Sequence, residues 1–197
     1  MKEHPATFKP HEVRATLAGT QTQFRRIVEP QPDSDGEWCH PRTGCVAAES
    51  FDEMLKHCPY GQNGDRLWVK EAIENGDACA RYSADGEVVP ATSWPWKRDK
   101  LPGMFCPRGL SRITLEVTDV RVQRLQEISN ADADAEGVCD WWLSLDVRER
   151  EAVEKITNGK AEDWRGNFHQ LWESINGPGS WDANPWVWAI AFRRVTP

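Results

Sequence analysis

Alternating apolar and polar positions predict a bulged strand in the middle of the chain. Ile113, Leu115 and Val117 alternate with polar residues, as side chains do along a strand with one buried face. The apolar positions then shift by one residue, to Val120 and Val122. A β-bulge or a barrel corner produces such a shift, so we expect one between Val117 and Val120.

Other apolar segments predict further short strands. The pattern of β-branched and aromatic residues between turn residues predicts strands at 22–28, 67–69 and 80–82. Residues 185–192 (PWVWAIAF) are apolar on both faces. Such a segment is typical of a strand that is enclosed in a barrel or covered by helices.

Helical spacing predicts one short helix near the N-terminus and a longer one near the C-terminus. Residues 10–19 have a proline at the start, Val13 and Leu17 on one face, and Gly19 as a C-terminal cap. Residues 161–175 place five large apolar side chains at helical spacing: Trp164, Phe168, Leu171, Trp172 and Ile175. Three other short helices are predicted, at 51–56, 129–137 and 147–157.

Together these elements predict one α+β domain that covers residues 1–197. Short strands with helices between them favour a small mixed β-barrel with flanking helices. Long loop insertions are expected around 30–63 and 84–110, where turn residues are frequent, and a helical insertion around 138–180. A chain of this length that is 39% hydrophobic can bury the core of one such domain.

The charge distribution leaves room for a basic face on an acidic protein. The net charge of −7 argues against a nucleic-acid coat protein, because phosphate binding needs positive charge. Residues 127–163 carry eleven acids and four bases, and so account for that net charge. By contrast, residues 94–126 carry seven bases and three acids, and residues 1–26 carry five and two. These bases are either ordinary solvated charges or a phosphate-binding face.

The chain carries no sign of membrane insertion or export. No segment approaches about 18 consecutive apolar residues, and the N-terminus lacks the apolar run of a signal peptide. We therefore expect a cytoplasmic protein whose six cysteines are thiols. Five residues of types that bind zinc lie close in sequence: Cys39, His40, Cys45, His57 and Cys58. Their spacing matches no known zinc motif, so we interpret them as loop residues and expect neither a metal nor a cofactor.

Four segments, in this order, resemble those of ASCH domains, which are common in bacteria, phages and prophages. GTQTQFRR at 19–26 is similar to the family's Gly-x-Lys-Thr-x-Thr-x-Arg motif, and GDRLWVKE at 64–71 to its Gly-Asp turn and following strand. The third segment begins with SRITLEV at 111–117 and continues through LQEI to AEG at 135–137. The fourth is the terminal strand at 184–195. The four segments in this order identify the resemblance more specifically than any one of them does.

The resemblance implies a PUA-like barrel with a cleft between the first helix, the central strands and the helix that bears Glu136. Members of this superfamily bind RNA or modified nucleotides; some resemble an acetylcytidine amidohydrolase and others are linked to RNA cleavage. The amidohydrolase-like members use a lysine and a threonine of the first motif and a glutamate of the later helix. In that chemistry the threonine attacks, the lysine activates it or holds the oxyanion, and the glutamate moves protons.

This chain departs from that pattern at two of the three positions. Gln21 stands at the lysine position and Phe24 at the threonine position, whereas Glu136 stands at the glutamate position. Thr22 is present, but not at the position of the nucleophile. Because glutamine has no titratable group and phenylalanine has no hydroxyl, we do not expect a Lys-Thr-Glu hydrolase.

A binding cleft is therefore the favoured interpretation, with Glu136 as the one retained catalytic candidate. Gln21 can donate and accept, Phe24 can stack on a base, and neighbouring arginines can bind phosphate. The candidate ligand-binding residues are Gln21, Thr22, Phe24, Arg25, Arg26, Trp68, Glu71, Arg112 and Glu136. Arg112, which follows a basic, proline-rich loop, is the strongest phosphate candidate outside the first motif. The alternatives are that Phe24 is core, the arginines are solvated and Glu136 lies on a helix surface.

Three functions remain open at this stage. The first is binding of RNA or a modified nucleotide, which the Gln21 and Phe24 pair favours. The second is hydrolysis of RNA or a modified nucleoside through Glu136 without the lysine. The third is a phage or prophage accessory role, in which the surface binds a host protein; the acidic segment 127–163 is the feature in its favour. Most of the eleven tryptophans are expected in the core, and one or two could stack on bases.

Overall fold

The protein is an α+β structure, as its sequence predicts. The computed structural model describes residues 1–32, 37–40, 44–47, 51–76, 79–90, 96–156 and 163–195. Its strands within these ranges are β1 (Glu3–Thr7), β2 (Gln23–Ile27), β3 (Glu37–His40), β4 (Gly44–Ala47), β5 (Arg66–Lys70), β6 (Ile73–Asn75), β7 (Ala80–Tyr82), β8 (Lys100–Leu101), β9 (Thr114–Arg124) and β10 (Trp186–Val195). Its α-helices there are α1 (Pro10–Ala18), α2 (Phe51–Leu55), α3 (Asn130–Ala135), α4 (Val138–Ser144), α5 (Val147–Ile156) and α6 (Trp164–Asn176).

Five strands form the main sheet, in the order β1-β5-β9-β10-β2. Strands β1 and β5 are parallel, and the other neighbours are antiparallel. Two smaller sheets, β3-β4 and β7-β6-β8, lie within or beside the two predicted loop insertions. Strand β1 was not predicted, because its sequence EHPAT has no apolar alternation and contains a proline.

The predicted bulge lies in β9. Phe192 of β10 pairs with Val117, but the preceding Ala191 pairs with Asp119, so that Thr118 has no partner in the register. Because of this extra residue, Val120 and Val122 face the same core as Leu115 and Val117, although the apolar positions shift by one residue along the chain. The prediction of a bulge is therefore confirmed.

The main sheet is open within the described residues, and the predicted closed barrel is not confirmed. Its edge strands, β1 and β2, have no ladder between them. Instead, the Arg26 side chain of β2 donates from Nη2 to the Thr7 carbonyl of β1, over 3.0 Å. A side chain thus joins the two edges where a closed barrel has strand pairing, and this leaves room for helix α1 and a cavity beside it.

Two apolar cores lie on opposite faces of the sheet. The first packs the inner side chains of all five strands against α1 and α2, with Phe24, Leu67, Val69, Leu115, Trp188 and Ile190 among its buried members. The second lies under α3, α4 and α6, with Leu125, Trp141, Phe168, Leu171, Trp172 and Val187. Each fully buried side chain of this size contributes about 1.5–3 kcal/mol. Trp141 and Trp188 are core residues, as the sequence led us to expect for most of the tryptophans.

A glycine turn between α3 and α4 positions Glu136. Helix α3 begins with Ser129, whose hydroxyl accepts from the Asp132 N–H over 3.0 Å, and ends with Glu136 as its cap. Gly137 then takes a left-handed conformation (φ +74°), and a Cβ there would lie 2.9 Å from that of Ala15. The close approach to α1 and the left-handed turn both require glycine. They fix Glu136 beside strand β2.

No helix within the described residues is both long and apolar enough to cross a membrane. Cysteines 58, 79, 106 and 139 are free thiols.

Candidate functional site

A cavity of about 280 Å³ lies where α1, β2 and α6 meet. Thr7, Lys9 and Asn176 form its exposed mouth. Its floor is buried and includes Arg25, Glu136, Phe168 and Trp172. Half-buried His11, Arg26, Ile27 and Ile175 form the walls between mouth and floor. Its volume is close to the lower end of the range for small-molecule sites.

Arg25 and Glu136 form a buried ion pair on the floor. The Glu136 carboxylate accepts from Arg25 twice: from the backbone N–H at 3.0 Å and from Nη1 at 2.5 Å. It also accepts from Gln23 Nε2 at 3.4 Å. Burial raises the pKa of Glu136 above its ordinary value, while Arg25 acts in the opposite direction. Glu136 therefore lies beside the first motif, where its hydrogen-bond partners are Gln23 and Arg25.

The guanidinium of Arg25 retains hydrogen-bonding capacity after this pairing. Its side chain is fully buried, and within the described residues neither Nε nor Nη2 has a hydrogen-bond partner. Nη2 lies 3.5 Å from Asp132 Oδ2, close enough for an ion pair. The indole N–H of Trp172, also on the floor, likewise lacks a partner within the described residues. Two donor side chains at the floor therefore suit a ligand that supplies acceptor oxygens or ring nitrogens.

Gln23 and Asp132 extend the pair into a polar network. Arg121 donates from Nη2 to Gln23 Oε1 at 2.6 Å and to Asp132 Oδ1 at 3.2 Å. Burial opposes ionisation of Asp132, but the hydrogen bond from Arg121 holds the pKa of Asp132 below its ordinary value. Arg121 Nε also lies 3.1 Å from Asp119 Oδ2, so that two arginines are paired with three acids in this network.

Arg26 occupies the cavity wall and faces away from Arg25, because neighbouring residues of a strand point to opposite faces. Its Nη2 donates to Glu12 Oε1 at 2.9 Å as well as to the Thr7 carbonyl. Its guanidinium also lies 4.9 Å from the centre of the Phe24 ring. Arg26 is therefore held by protein groups on three sides.

Lys9 provides a cation at the mouth of the cavity, with His11 and the Glu12 carboxylate next to it in the lining. Lys9 and His11 belong to the start of α1, whose N-terminus carries a partial positive charge. Burial lowers the pKa of Lys9 and that of His11, and Glu12 opposes both shifts. An anionic group at the mouth would meet Lys9 and the N-terminus of α1 together.

The other residues of the first motif lie beside the cavity or in the core. Gln21 is buried next to Gly137, and its Nε2 donates to the Gln23 carbonyl at 3.0 Å. Thr22 is exposed, and its backbone N–H donates to the Ala135 carbonyl at 2.9 Å. Phe24 is fully buried and contacts the rings of Phe8, Tyr60 and Phe192. The described structure thus shows Phe24 as a core residue, the alternative that the sequence left open.

Trp68, Glu71 and Arg112 do not line this cavity. Arg112 donates to both carboxylate oxygens of Glu71, at 3.0 and 2.8 Å, and its Nη1 lies 2.8 Å from Asp85 and from Glu87. Its guanidinium also stacks on Tyr82, 3.9 Å from the ring centre. Three carboxylates thus surround the arginine that the sequence favoured for phosphate. Trp68 is half-buried on the outer face of β5.

Sequence reasoning did not identify several residues of the cavity as functional candidates. In the sequence, Lys9 and His11 are typical of residues at the start of a helix. Phe168 and Trp172 are typical of the apolar face of a helix. Nothing in the local sequence distinguishes such residues from ordinary cap and core positions, because the cavity forms only when α6 packs beside β2.

The described residues contain no cluster of three or more His, Cys, Asp or Glu that could hold a metal ion. The side chains of Cys39, His40 and Cys45 lie outside the described part of the chain.

Comparisons with known proteins leave the chain without an assigned family. No family model matches it, and no curated protein does. A DUF984 protein from Enterococcus faecalis V583 is similar in structure, with 10% identity and a TM-score of 0.38, over 99% of this chain and 81% of that one. An ASCH domain from Lactobacillus crispatus JV V101 has 11% identity and a TM-score of 0.36, over 98% and 79%. Likeness at this level assigns neither a family nor a function.

Proposed function

We propose that the chain binds a nucleotide, free or as part of an RNA strand, in the cavity between α1, β2 and α6. The observation that carries this proposal is the buried guanidinium of Arg25, whose Nε has no hydrogen-bond partner among the described residues and which lies on the floor of a cavity. A buried donor without a partner costs about 1–3 kcal/mol, so a ligand acceptor placed there gains binding free energy.

The chemistry of the cavity suits the parts of a nucleotide. The carbonyl oxygens and ring nitrogens of a base can accept from Arg25 and from the Trp172 indole, while its exocyclic amine can donate to Glu136. The Phe168 ring provides an apolar surface beside these polar groups. A phosphate at the mouth would lie beside Lys9 and the N-terminus of α1.

The resemblance of the sequence to ASCH domains supports the same proposal. In that resemblance Gln21 replaces the lysine and Phe24 replaces the threonine of the amidohydrolase-like members. Glu136 is held by Arg25, which suits recognition better than proton transfer. We therefore propose binding without turnover.

Calorimetric titration with UMP, CMP, AMP, GMP and acetylcytidine tests this proposal. We expect at least one of them to bind, and Lys9→Ala to weaken the binding of that monophosphate more than that of its nucleoside. The matched control is Lys56→Ala, an exposed lysine outside the cavity. Absence of binding by the whole panel would overturn the proposal.

Incubations of the protein with acetylcytidine and with a short RNA are analysed by chromatography. We expect acetylcytidine and a short RNA to be recovered unchanged, because Gln21 and Phe24 stand where the resemblance places the lysine and the threonine. General acid–base and nucleophilic groups each contribute about 100-fold or more to the rate of such reactions. Release of acetate or RNA fragments that Glu136→Gln abolishes would instead show a hydrolase.

A further inference from the structure

A surface that continues from the cavity mouth lies on the outer faces of β1 and β5. Thr7, at the mouth, pairs with Lys70 in the parallel register, and Pro5 pairs with Trp68. Ala6 and Val69 between them are buried in the first core, so these four side chains share the opposite face. The cavity mouth therefore adjoins a surface that presents a tryptophan and a lysine.

The 96–108 segment extends this surface. The ammonium group of Lys70 donates to the Met104 carbonyl. A Cβ at Gly103 would lie 3.2 Å from the Lys70 carbonyl oxygen, so the segment packs directly on the end of β5. Next to this contact, Met104 is 61% and Phe105 is 63% exposed. Two large apolar side chains thus stand in solvent beside Lys70.

Phe105 also lines a second, open cavity of about 550 Å³ together with Lys97 and Lys100. The segment 96–108 (WKRDKLPGMFCPR) carries four bases and one acid on a chain whose net charge is −7. Some of its charge is neutralised: Lys100 pairs with Glu74 and Arg108 with Glu3. Within the described residues, Lys97 has no ion pair.

Cations and aromatic rings alternate along this surface. The Trp68 ring has Lys70 Nζ 5.6 Å and Arg108 Cζ 6.0 Å from its centre. We define the basic strip as Lys9, Trp68, Lys70, Lys97 and Phe105. Single-stranded nucleic acids bind surfaces on which cations and aromatic rings are interleaved, since the cations meet phosphates and the rings stack on bases.

We propose that the basic strip binds the neighbouring nucleotides of a single-stranded nucleic acid, one nucleotide of which occupies the cavity. This inference rests on the proposed function and specifies its ligand as a polynucleotide instead of a free nucleotide. The strand runs from the mouth at Lys9, past Lys70 and Trp68, to Phe105 and Lys97. The acidic remainder of the surface repels a polyanion, so the strip confines the strand to one path.

Fluorescence anisotropy of labelled single-stranded oligonucleotides of about ten residues tests the strip, since this length covers the site size of comparable binding surfaces. Oligouridylate, oligoadenylate and their deoxy counterparts are titrated, and UMP and AMP are measured by calorimetry. We expect the oligonucleotides to bind more tightly than the mononucleotides. Phe105→Ala should weaken oligonucleotide binding by about fivefold or more, through the loss of stacking, and leave mononucleotide binding unchanged.

Lys97→Ala should reduce the salt dependence of oligonucleotide binding. Loss of one phosphate contact lowers the slope of log affinity against log salt by about 0.7 for a single strand. The matched controls lie outside both the cavity and the strip: Leu143→Ala removes an apolar side chain that is 55% exposed, and Arg148→Ala removes one exposed positive charge. Neither control should change oligonucleotide binding.

The outcomes separate this inference from the proposed function. If Phe105→Ala and Lys97→Ala leave oligonucleotide binding unchanged while a mononucleotide still binds, the strip is overturned and the cavity proposal stands. If no mononucleotide binds the unmodified protein, the cavity proposal fails instead. The nucleic-acid inference is wrong if polyglutamate displaces the labelled oligonucleotide as well as unlabelled oligonucleotide does, and if Phe105→Ala leaves polyglutamate binding unchanged. The strip is then a surface for acidic proteins.

Discussion

Arg26 on strand β2 donates a hydrogen bond to the Thr7 carbonyl on strand β1, and so connects the two edges of the main sheet over 3.0 Å. The same guanidinium pairs with Glu12 of α1, whose side chain is only 8% exposed. One side chain thus joins the two edge strands and the helix between them. Because this junction is also a wall of the cavity, the stability of the sheet edge and the shape of the site depend on the same residue.

Arg26→Met should lower the free energy of unfolding by about 1–3 kcal/mol. The substitution keeps an apolar chain against Phe24, but leaves the buried Glu12 carboxylate and the Thr7 carbonyl without this donor. Urea unfolding followed by tryptophan fluorescence measures the change. The control is Arg193→Met, which removes an exposed ion pair with Glu116 and should cost less than about 1 kcal/mol. Equal losses in the two variants would contradict the role of Arg26 as a connection between the edges.

Glu136→Gln should destabilise the fold by about 2–4 kcal/mol, because it leaves the buried Arg25 guanidinium without its closest countercharge. Asp132, 3.5 Å from Arg25 Nη2, compensates only in part. The control is Asp134→Asn, the same chemical change on an exposed position of α3, which should have an effect below about 0.5 kcal/mol. An equally small effect for Glu136→Gln would show that the pair is not needed for folding.

Local pattern was sufficient for the elements whose side-chain periodicity is strong. The bulge in β9, the helix α1 and the apolar part of β10 (residues 186–192) follow from alternation, capping residues and composition along a few consecutive positions. Strand β1 has no such pattern, since EHPAT forms a strand only because β5 offers it a parallel partner. Sheet closure was not predictable either, because it depends on how far the edges approach in space.

Of the candidate site, the sequence predicted only the residues of the first motif and Glu136. The neighbours Arg25 and Arg26 received one role from sequence, yet they point to opposite faces of β2 and pair with different acids. Arg112 follows a basic loop in sequence, but its partners Glu71, Asp85 and Glu87 lie in other segments and are brought to it by tertiary packing. Contacts between residues this far apart in sequence have no local signature.

Protonation of His11 should destabilise the protein below neutral pH. Burial lowers the pKa of His11 from 6.5, with Lys9, Arg14 and Arg26 acting in the same direction and Glu12 against it. Between this lowered pKa and about 6.5 the unfolded chain binds more protons at His11 than the folded protein does. The free energy of unfolding is therefore highest above that pH window and falls as the pH drops through it. His11→Gln should therefore lose less unfolding free energy between about pH 7 and pH 5 than the unmodified protein. Identical pH profiles in urea unfolding would count against this assignment.

Cys58 should resist alkylation in the folded protein. Burial raises the pKa of its thiol to about 12, although a backbone hydrogen bond at Tyr60 acts in the opposite direction, and the residue is 6% exposed. Iodoacetamide reacts with the thiolate, so the reaction at Cys58 should be much slower than at half-exposed Cys79. Mass spectrometry of native and urea-unfolded samples measures this. Equal modification of both cysteines in the native sample would show that the segment around Cys58 opens readily.

Gly137→Ala should both destabilise the protein and weaken ligand binding in the cavity. Its left-handed φ of +74° disfavours alanine, and the added Cβ would lie 2.9 Å from Ala15 Cβ and 3.2 Å from Gln21 Cβ. To relieve these contacts the turn must move away from α1, which displaces the adjacent Glu136. Gly86→Ala separates the two effects, because Gly86 has a similar φ of +76° and nothing within 4 Å of the added Cβ. Backbone strain alone should lower the free energy of unfolding by about 1 kcal/mol in Gly86→Ala, whereas Gly137→Ala should lower it by about 2–4 kcal/mol.

Mononucleotide titration of the two folded variants then tests the site. If Gly137→Ala binds the mononucleotide as tightly as Gly86→Ala does, binding does not require this turn to hold Glu136 in place.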